Sequence, residues 1–271
     1  MANTKNNNGT SGKFATEGVK FFFIFICMVI YSNCHSQESK IERFVFYSNS
    51  LEELRELTVY IPENFNSENN YRVIFCTDGQ LLNEQYKHKL DSIFSIKTIS
   101  PFVIIGVNSN EKKIPNSYFD YRNFEYCEDM PSDNPDLNNR FKRHANFFVT
   151  EVEEYIKKEL NLKIDNKYFY GVSNGAGFGV SISKYYPDLF SKYILYSIAG
   201  GNFKNLKWNA EKYPFFIIRY GDKEAEPLIM HNKKLSKYLL KKHYQHIFES
   251  YQGGHKREEW LNLFIKDIEK L

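Results

Sequence analysis

The chain has 271 residues, a length that suits a single α/β domain with a sizeable core plus an N-terminal extension. Its charges nearly cancel, at a formal net charge of +3, and no basic tract stands out from an ordinary solvated helix face. This balance argues against nucleic acid as a partner.

The first 36 residues form a segment of different composition. They begin polar and net basic and continue in the apolar run Phe21 to Ile30. Such a run is too short to span a bilayer and suits a secretory signal, and Cys34 follows where a bacterial lipoprotein carries its lipidated cysteine. The residues before Cys34 fit the lipoprotein pattern only loosely. We therefore predict an export signal or lipoprotein leader in residues 1–36, and a periplasmic or membrane-anchored domain in residues 37–271. The alternatives are an uncleaved anchor and a short buried helix.

Strands are predicted at the start of the domain. Residues 41–48 alternate in polarity, and residues 57–61 end before a proline. With residues 72–77 they predict an antiparallel meander that leads into a buried strand. Residues 102–107 are continuously apolar, which is typical of a strand buried on both faces of a parallel sheet.

The stretch 108–142 shows no clear periodicity and is rich in Asn, Asp, Pro and aromatic residues. A connection of this length usually has a function, so we predict a loop or cap near the site; a merely decorative insertion is the alternative. Apolar residues then recur at helical spacing between 148 and 160, which predicts an amphipathic helix.

Strand and helix alternate from there to the end of the chain. The predicted elements are a strand at 167–172, a helix at 174–186, strands at 193–198 and 214–220, a helix at 226–242, a strand at 247–251 and a helix at 256–271. This alternation indicates an α/β fold with a mostly parallel central sheet, helices on both faces and antiparallel strands at the N-terminal edge. In such sheets the functional site lies at the carboxyl ends of the strands.

A candidate nucleophile stands at the end of the 167–172 strand. Gly171-Val172-Ser173-Asn174-Gly175 matches G-x-S-x-G, in which the glycines allow a strained turn that lifts the serine hydroxyl out of the sheet. A serine hydroxyl needs a base to take its proton and a carboxylate to orient that base. We predict Ser173 as the nucleophile and the N–H of Asn174 as one donor to the oxyanion.

The base and the carboxylate are predicted from two later strand ends. In the α/β-hydrolase arrangement the acid and then the histidine follow the serine along the chain. The 214–220 strand is followed by a turn that contains Asp222 and Glu224, and the 247–251 strand is followed by Gly-Gly and His255. We predict His255 as the base, Glu224 as the acid and Asp222 as the second choice; a turn histidine satisfied by backbone is the alternative for His255.

The other histidines have simpler interpretations. Five of the seven lie in polar or helical stretches and are expected at the surface: His35, His88, His144, His231 and His243. His243 and His246 are three residues apart, but no further ligands accompany them, so we predict no metal. We also predict no cofactor, since the glycines after Ser173 lack the dinucleotide-binding spacing.

A second oxyanion donor is predicted from Asp78-Gly79-Gln80, which ends the 72–77 strand. In this arrangement the second backbone N–H comes from a loop after an earlier strand, so we predict the N–H of Gln80. An ordinary turn is the alternative, because Asp-Gly is common in turns.

Together these residues resemble the esterase family of α/β-hydrolases that includes esterase D, the enterochelin esterases and the bacterial feruloyl esterases. The correspondence runs from Leu57 to Leu271. Its motifs are Val59-Tyr60-Ile61-Pro62, Asp78-Gly79, Arg122 to Tyr126, Gly171 to Gly175, Gly221 to Glu224, and Gly253-Gly254-His255 with Trp260.

The resemblance implies an α/β-hydrolase fold and carboxylic ester hydrolysis by Ser173, Glu224 and His255. It also makes Arg122 and Glu125 candidates for organising the long loop against a small-molecule substrate; a surface ion pair is the alternative for both. Siderophore esters and sugar-linked aromatic esters fit equally well. An acyltransferase would use the same acyl-enzyme. A noncatalytic binding protein at the cell surface is the other alternative, although it has no chemical need for the complete set of residues.

Overall fold

The computed structural model describes Met1 and residues 37–96, 99–203, 206–209 and 213–271. The predicted leader, apart from Met1, lies outside the described residues, so the leader and the domain boundary stay predictions. Within the described ranges, no helix has both the length and the apolar character that crossing a bilayer requires.

Eight strands form one sheet in the order β1-β2-β4-β3-β5-β6-β7-β8. They are β1 (Lys40–Ser48), β2 (Glu53–Ile61), β3 (Asn70–Thr77), β4 (Phe102–Val107), β5 (Lys163–Val172), β6 (Lys192–Tyr196), β7 (Phe215–Gly221) and β8 (His246–Tyr251). The β1–β2 and β2–β4 pairs are antiparallel, and every other pair is parallel. The prediction of a mostly parallel sheet with an antiparallel N-terminal edge is confirmed.

The predicted opening meander is wrong in one respect. Strand β3 does not pair with β2 but lies between β4 and β5, parallel to both. The antiparallel partner of β2 is β4, which comes later in the chain. The reason is burial: β3 is apolar on both faces over its last residues, so the centre of the sheet is the place that covers both faces.

Seven helices accompany the sheet in the described ranges. They are α1 (Glu84–Ile96), α2 (Tyr121–Tyr126), α3 (Arg140–Asn146), α4 (Val152–Leu160), α5 (Asn174–Tyr185), α6 (Glu226–Lys241) and α7 (Arg257–Ile268). A π-helical segment, Phe147–Glu151, joins α3 to α4, and 3₁₀ turns span Gly79–Leu81 and Pro135–Leu137. The sequence-based prediction missed α1, and α2 lies within the stretch 108–142 that was predicted as a loop or cap.

Two apolar layers cover the two faces of the sheet. Alternate residues of β3 divide between them: Val73 and Phe75 face one layer, and Ile74 and Cys76 face the other. The first layer holds apolar residues of α4, α5 and α6, and the second holds those of α1 and α7. Helices therefore cover both faces, as predicted, and the carboxyl ends of the parallel strands meet at one edge of the sheet.

Candidate active site

The predicted serine lies in the sharp turn between β5 and α5. Ser173 has φ 53° and ψ −125°, a conformation that a non-glycine residue rarely adopts. The turn is tight because small residues flank it: a Cβ atom on Gly175 would lie 2.1 Å from Oγ1 of Thr77, and one on Gly171 would lie 2.6 Å from the carbonyl oxygen of Gly175. Glycine at these two positions lets the serine hydroxyl stand clear of the sheet.

His255 lies in the turn between β8 and α7 and bridges the serine and a carboxylate. Its Nε2 atom is 3.1 Å from Oγ of Ser173, and its Nδ1 atom is 3.1 Å from Oε1 of Glu224. Both distances are within hydrogen-bonding reach. The structure therefore brings together a hydroxyl, an imidazole and a carboxylate from three separate turns, in the order that acyl transfer requires.

Glu224 follows β7 and its side chain is fully buried. Burial acts to raise the pKa of this carboxyl, but the hydrogen bond from His255, the nearby hydroxyl of Ser197 and the charge of His255 outweigh it, so the pKa lies below its ordinary value. The carboxylate is therefore ionised at neutral pH. Asp222 is exposed and instead accepts the N–H of Gly253 at 2.9 Å, which closes the two neighbouring turns on each other.

The carboxylate rests on a polar network that sequence reasoning did not assign. The hydroxyl of Tyr251 lies 3.3 Å from Oε1 of Glu224 and 2.9 Å from the carbonyl oxygen of Gly254. The indole Nε1 of Trp260 donates to that hydroxyl at 2.9 Å and to Oγ of Ser197 at 3.1 Å. Trp260 appeared in the sequence only as part of a motif. Tyr251 carried no sequence signal, because it reads as an ordinary strand residue.

Two backbone N–H groups stand near the serine. Asn174 is the first residue of α5, and Gln80 lies in the 3₁₀ turn Gly79–Leu81, so neither N–H has an acceptor within its own helix. The Gln80 side chain is fixed by its Nε2 atom, which donates to Ser109 and Glu111. Gln80 lines the same cavity as Ser173.

Arg122 organises the loop that carries Gln80. Its Nε and Nη2 atoms donate to the two carboxylate oxygens of Asp78 at 2.6 and 2.8 Å, a bidentate pair. Asp78 is buried and has φ 56° and ψ 46°, in the left-handed region. Its N–H donates to the hydroxyl of Tyr126 at 3.2 Å. Arg122 on α2 thus fixes an unusual backbone conformation two residues before Gln80.

Glu125 does not line the cavity, which corrects the expectation that it contacts substrate. Its side chain is fully buried and accepts hydrogen bonds from Arg55 at 2.7 and 3.1 Å and from Arg140 at 2.6 and 3.1 Å. Both arginines also donate to Glu53. We call these four residues the Arg55 cluster. It joins β2, α2 and α3, so Glu125 fixes the predicted loop 108–142 to the sheet through buried ion pairs. Neither Arg122 nor Glu125 forms a surface ion pair.

The prediction for His144 is also wrong: it was expected at the surface, and the structure shows it fully buried. Its Nδ1 atom is 3.4 Å from Oε2 of Glu125, beyond a good hydrogen bond. Burial, followed by the charges of Arg55 and Arg140, lowers the pKa of His144 well below its ordinary value, so the ring is neutral. His88 and His243 are exposed as predicted, His231 is partly buried, and His35 lies outside the described residues.

The cavity above the serine has a volume of about 480 Å³. Ser173, His255, Gln80, Leu81 and Trp260 contribute to its wall. Its charged lining consists of Asp78, Glu111, Lys113, Asp120, Arg122 and Arg257. A small polar molecule with one apolar part matches this wall.

Comparison with known proteins gives the class. Residues 48–214, more than half of the chain, match the family model described as "Putative esterase", and the chain belongs to this family. It is a carboxylic ester hydrolase, as predicted. A search of curated protein sequences finds no match.

Solved structures agree on the fold. A ferulic acid esterase superposes with a TM-score of 0.66 at 18% identity, over 85% of this chain and 96% of that chain. An S-formylglutathione hydrolase from Staphylococcus aureus superposes with a TM-score of 0.62 at 16% identity, over 86% and 96%. A siderophore hydrolase from Aspergillus nidulans gives 0.63 at 14% identity, over 84% and 93%. The predicted α/β-hydrolase fold is confirmed.

Proposed function

We propose that the chain is a serine esterase with Ser173 as nucleophile, His255 as general base and Glu224 as the carboxylate that orients His255. The observation that carries this proposal is the hydroxyl–imidazole–carboxylate alignment, with 3.1 Å at each of its two contacts. The buried, ionised carboxylate holds the imidazole in the tautomer that leaves Nε2 free to accept a proton. Glu224 is preferred to Asp222, because Asp222 is engaged with Gly253.

The reaction runs through an acyl-enzyme. Oγ of Ser173 forms a bond to the ester carbonyl carbon while its proton passes to Nε2 of His255, and the carbonyl oxygen becomes an oxyanion. The N–H groups of Gln80 and Asn174 hold that oxyanion. The C–O bond to the alcohol then breaks, and the alcohol leaves with the proton from His255. Water attacks the acyl-enzyme with His255 again as base, which releases the carboxylic acid and restores Ser173.

The substrate is a small ester. The similar structures include enzymes that act on ferulic acid esters and on siderophores. The size of the cavity and its mixed wall of Leu81, Trp260 and charged groups suit an ester of that kind. Arg122 lines this cavity and is the member of the predicted substrate-binding pair that a substrate can reach.

The test is hydrolysis of 4-nitrophenyl acetate and butyrate by the full chain. We expect Ser173→Ala and His255→Ala each to lower kcat by about 1000-fold or more. The nucleophile and its base act as one unit, so removing either residue disables both. The exposed His88→Ala serves as the control and keeps wild-type rates. Wild-type turnover no faster than the two active-site variants, with no labelling of Ser173 by a fluorophosphonate, would instead indicate a noncatalytic binding protein.

Hydrolase and transferase are separated by adding alcohol acceptors at fixed ester concentration. A hydrolase partitions the acyl group mainly to water, so the free acid remains the main product. If an acceptor ester dominates the products at millimolar acceptor, the protein is an acyltransferase that uses the same acyl-enzyme.

We also propose that residues 1–36 direct export. The support is the basic start, the short apolar run and the position of Cys34. Cell fractionation of wild type and Cys34→Ala, with metabolic labelling by a fatty acid, tests this. Lipid label that depends on Cys34 indicates a lipoprotein, release of a shortened chain indicates a cleaved signal, and a full-length cytosolic chain contradicts export.

A further inference from the structure

Arg257 is a cation in the wall of the proposed active site that has no ion-pair partner among the described residues. It is the first residue of α7, two residues after His255, and it lines the same cavity as Ser173. Its side chain is exposed. Among the residues that the structure describes, no carboxylate lies within ion-pair distance of it and no acceptor takes a hydrogen bond from it.

The other arginines behave differently. Each of them forms an ion pair or donates a hydrogen bond: Arg43, Arg55, Arg72, Arg122, Arg140, Arg143 and Arg219. A guanidinium has several donors in a rigid fork that matches a carboxylate, so arginines in proteins usually find such partners. Arg257 stands apart from this pattern at the place where a substrate would bind.

The remaining charges of the cavity are already engaged. Asp78 is paired with Arg122, and Asp120 lies 3.5 Å from Lys113. Glu111 accepts a hydrogen bond from Gln80 at 2.9 Å. A ligand that enters the cavity therefore meets one positive charge that no group of the described residues satisfies.

We infer that Arg257 selects ester substrates that carry an anionic group, a carboxylate above all, beside the ester that Ser173 attacks. A carboxylate can accept two parallel N–H bonds from the guanidinium, and the interaction strengthens as the substrate displaces water from the cavity. The apolar wall of Leu81 and Trp260 covers the uncharged part of the same molecule. This inference rests on the proposed function, and it names Arg257 as a specificity-determining residue.

The experiment compares matched esters with and without an anionic carboxylate, with the full chain as enzyme. The acyl-side pair is mono-4-nitrophenyl glutarate and its neutral methyl ester. The alcohol-side pair is 3-carboxy-4-nitrophenyl butyrate and 4-nitrophenyl butyrate. For each pair we measure the ratio of kcat/KM for the anionic ester to that for the neutral ester. The two pairs show on which side of the ester the anion lies.

We expect a wild-type ratio of about 10 to 100 in one of the two pairs. This is the gain in kcat/KM expected when one substrate group forms hydrogen bonds with a charged side chain. Arg257→Gln should bring that ratio close to one, and Arg257→Lys should retain part of it. Lys256→Gln is the matched control: Lys256 is the neighbouring exposed cation and does not line the cavity, so the ratio should stay at the wild-type value.

Three results would overturn the inference: no preference for the anionic ester in either pair, a preference that survives Arg257→Gln, or an equal loss in Lys256→Gln, which would indicate general surface charge. Hydrolysis of 4-nitrophenyl butyrate that depends on Ser173 shows separately that the esterase site works. The inference can therefore fail while the proposed function holds. If Ser173→Ala leaves the butyrate rate unchanged, the proposed function fails as well.

Discussion

At the scale of single residues, the geometry around His255 depends on a hydroxyl that no reaction step consumes. Tyr251 lies within hydrogen-bonding distance of both the carboxylate of Glu224 and the carbonyl of Gly254, next to His255. Burial, with smaller contributions from its neighbours, raises the pKa of Tyr251 to about 12, so the hydroxyl keeps its proton at neutral pH. It therefore acts as a positioning group for the carboxylate and for the turn.

Tyr251→Phe should reduce kcat for 4-nitrophenyl butyrate by about tenfold with a small change in KM, since one hydrogen bond to a charged group is lost. Steady-state kinetics across pH 5 to 9 measures this and shows whether the profile shifts, which a purely structural role would not cause. Tyr47→Phe, on exposed β1, is the control. Wild-type kcat and an unchanged pH profile in Tyr251→Phe would show that Tyr251 does not position Glu224 or His255.

The buried His144 leads to a prediction about the pH dependence of the free energy of unfolding. Its pKa in the folded state lies well below the ordinary histidine value, so below about pH 6.5 the unfolded chain binds a proton that the folded chain does not. Stability is therefore lost as pH falls through this range. His144→Phe keeps the ring contacts with Phe178 and Phe147 but cannot titrate.

We expect the free energy of unfolding of wild type to fall, relative to His144→Phe, by about 1 kcal/mol between pH 7.5 and 5.5. Urea denaturation at the two pH values measures the difference. The control is His88→Phe, at an exposed position, which should follow wild type. Parallel stability curves for wild type and His144→Phe would contradict the assignment.

At the scale of elements, buried ion pairs fix the positions of two helices, α2 and α7. Helix α2 has only six residues, which is too short to be stable alone, and the Arg55 cluster ties it to β2 and α3. The same helix carries Arg122, which holds Asp78 and the loop with Gln80. Helix α7 is fixed similarly, because Asp267 accepts hydrogen bonds from Arg219 on β7 and from Tyr196 on β6. The same helix carries Arg257 and Trp260, which line the cavity.

Glu125→Gln should destabilise the protein by about 3 to 5 kcal/mol, because two buried guanidinium groups lose the carboxylate between them. Urea denaturation at pH 7.5 measures this. The control is Glu68→Gln, which breaks the exposed pair with Lys163 and should cost less than about 1 kcal/mol. Equal effects of the two variants would show that the Arg55 cluster contributes no more than a surface pair.

At the scale of the whole molecule, both described apolar layers lie in the part of the chain after the predicted leader. The buried residues of both apolar layers lie between Leu51 and Ile268. The strands that complete the sheet begin at Lys40. All eight strands and both described apolar layers therefore lie within the predicted domain, residues 37–271.

We expect residues 37–271, produced alone, to unfold cooperatively at a Tm within about 3 °C of the full chain, since they contain all eight strands and both described apolar layers. Differential scanning calorimetry of both chains in the same detergent-free buffer measures this. Aggregation of the shorter chain, or a Tm lower by ten degrees or more, would mean that the N-terminal segment contributes to the fold.

The sequence by itself determined the features that local patterning encodes. Apolar alternation and continuous apolar runs predicted β4, β6, β7 and β8 to within about two residues and missed the first four residues of β5, because burial on one or both faces leaves a direct periodic trace. The glycines around Ser173 predicted the tight turn, and the chain order of Ser173, Glu224 and His255 predicted that the three would meet at one edge of the sheet. The family resemblance added the class of reaction, which the family match confirmed.

Only the tertiary structure decided which distant groups become partners. Strand pairing places β4 between β2 and β3, against chain order, because the strands buried on both faces take the centre. Glu125 and His144 have the local surroundings of surface residues, yet both are buried. Arg55 and Arg140 supply the charge that compensates Glu125, whereas His144 is buried as a neutral ring among aromatic side chains. Arg257 stands at the polar start of the predicted helix 256–271 and carries no signal of its own in the sequence. Only the folded chain shows that its guanidinium lines the same cavity as Ser173 without an ion-pair partner among the described residues.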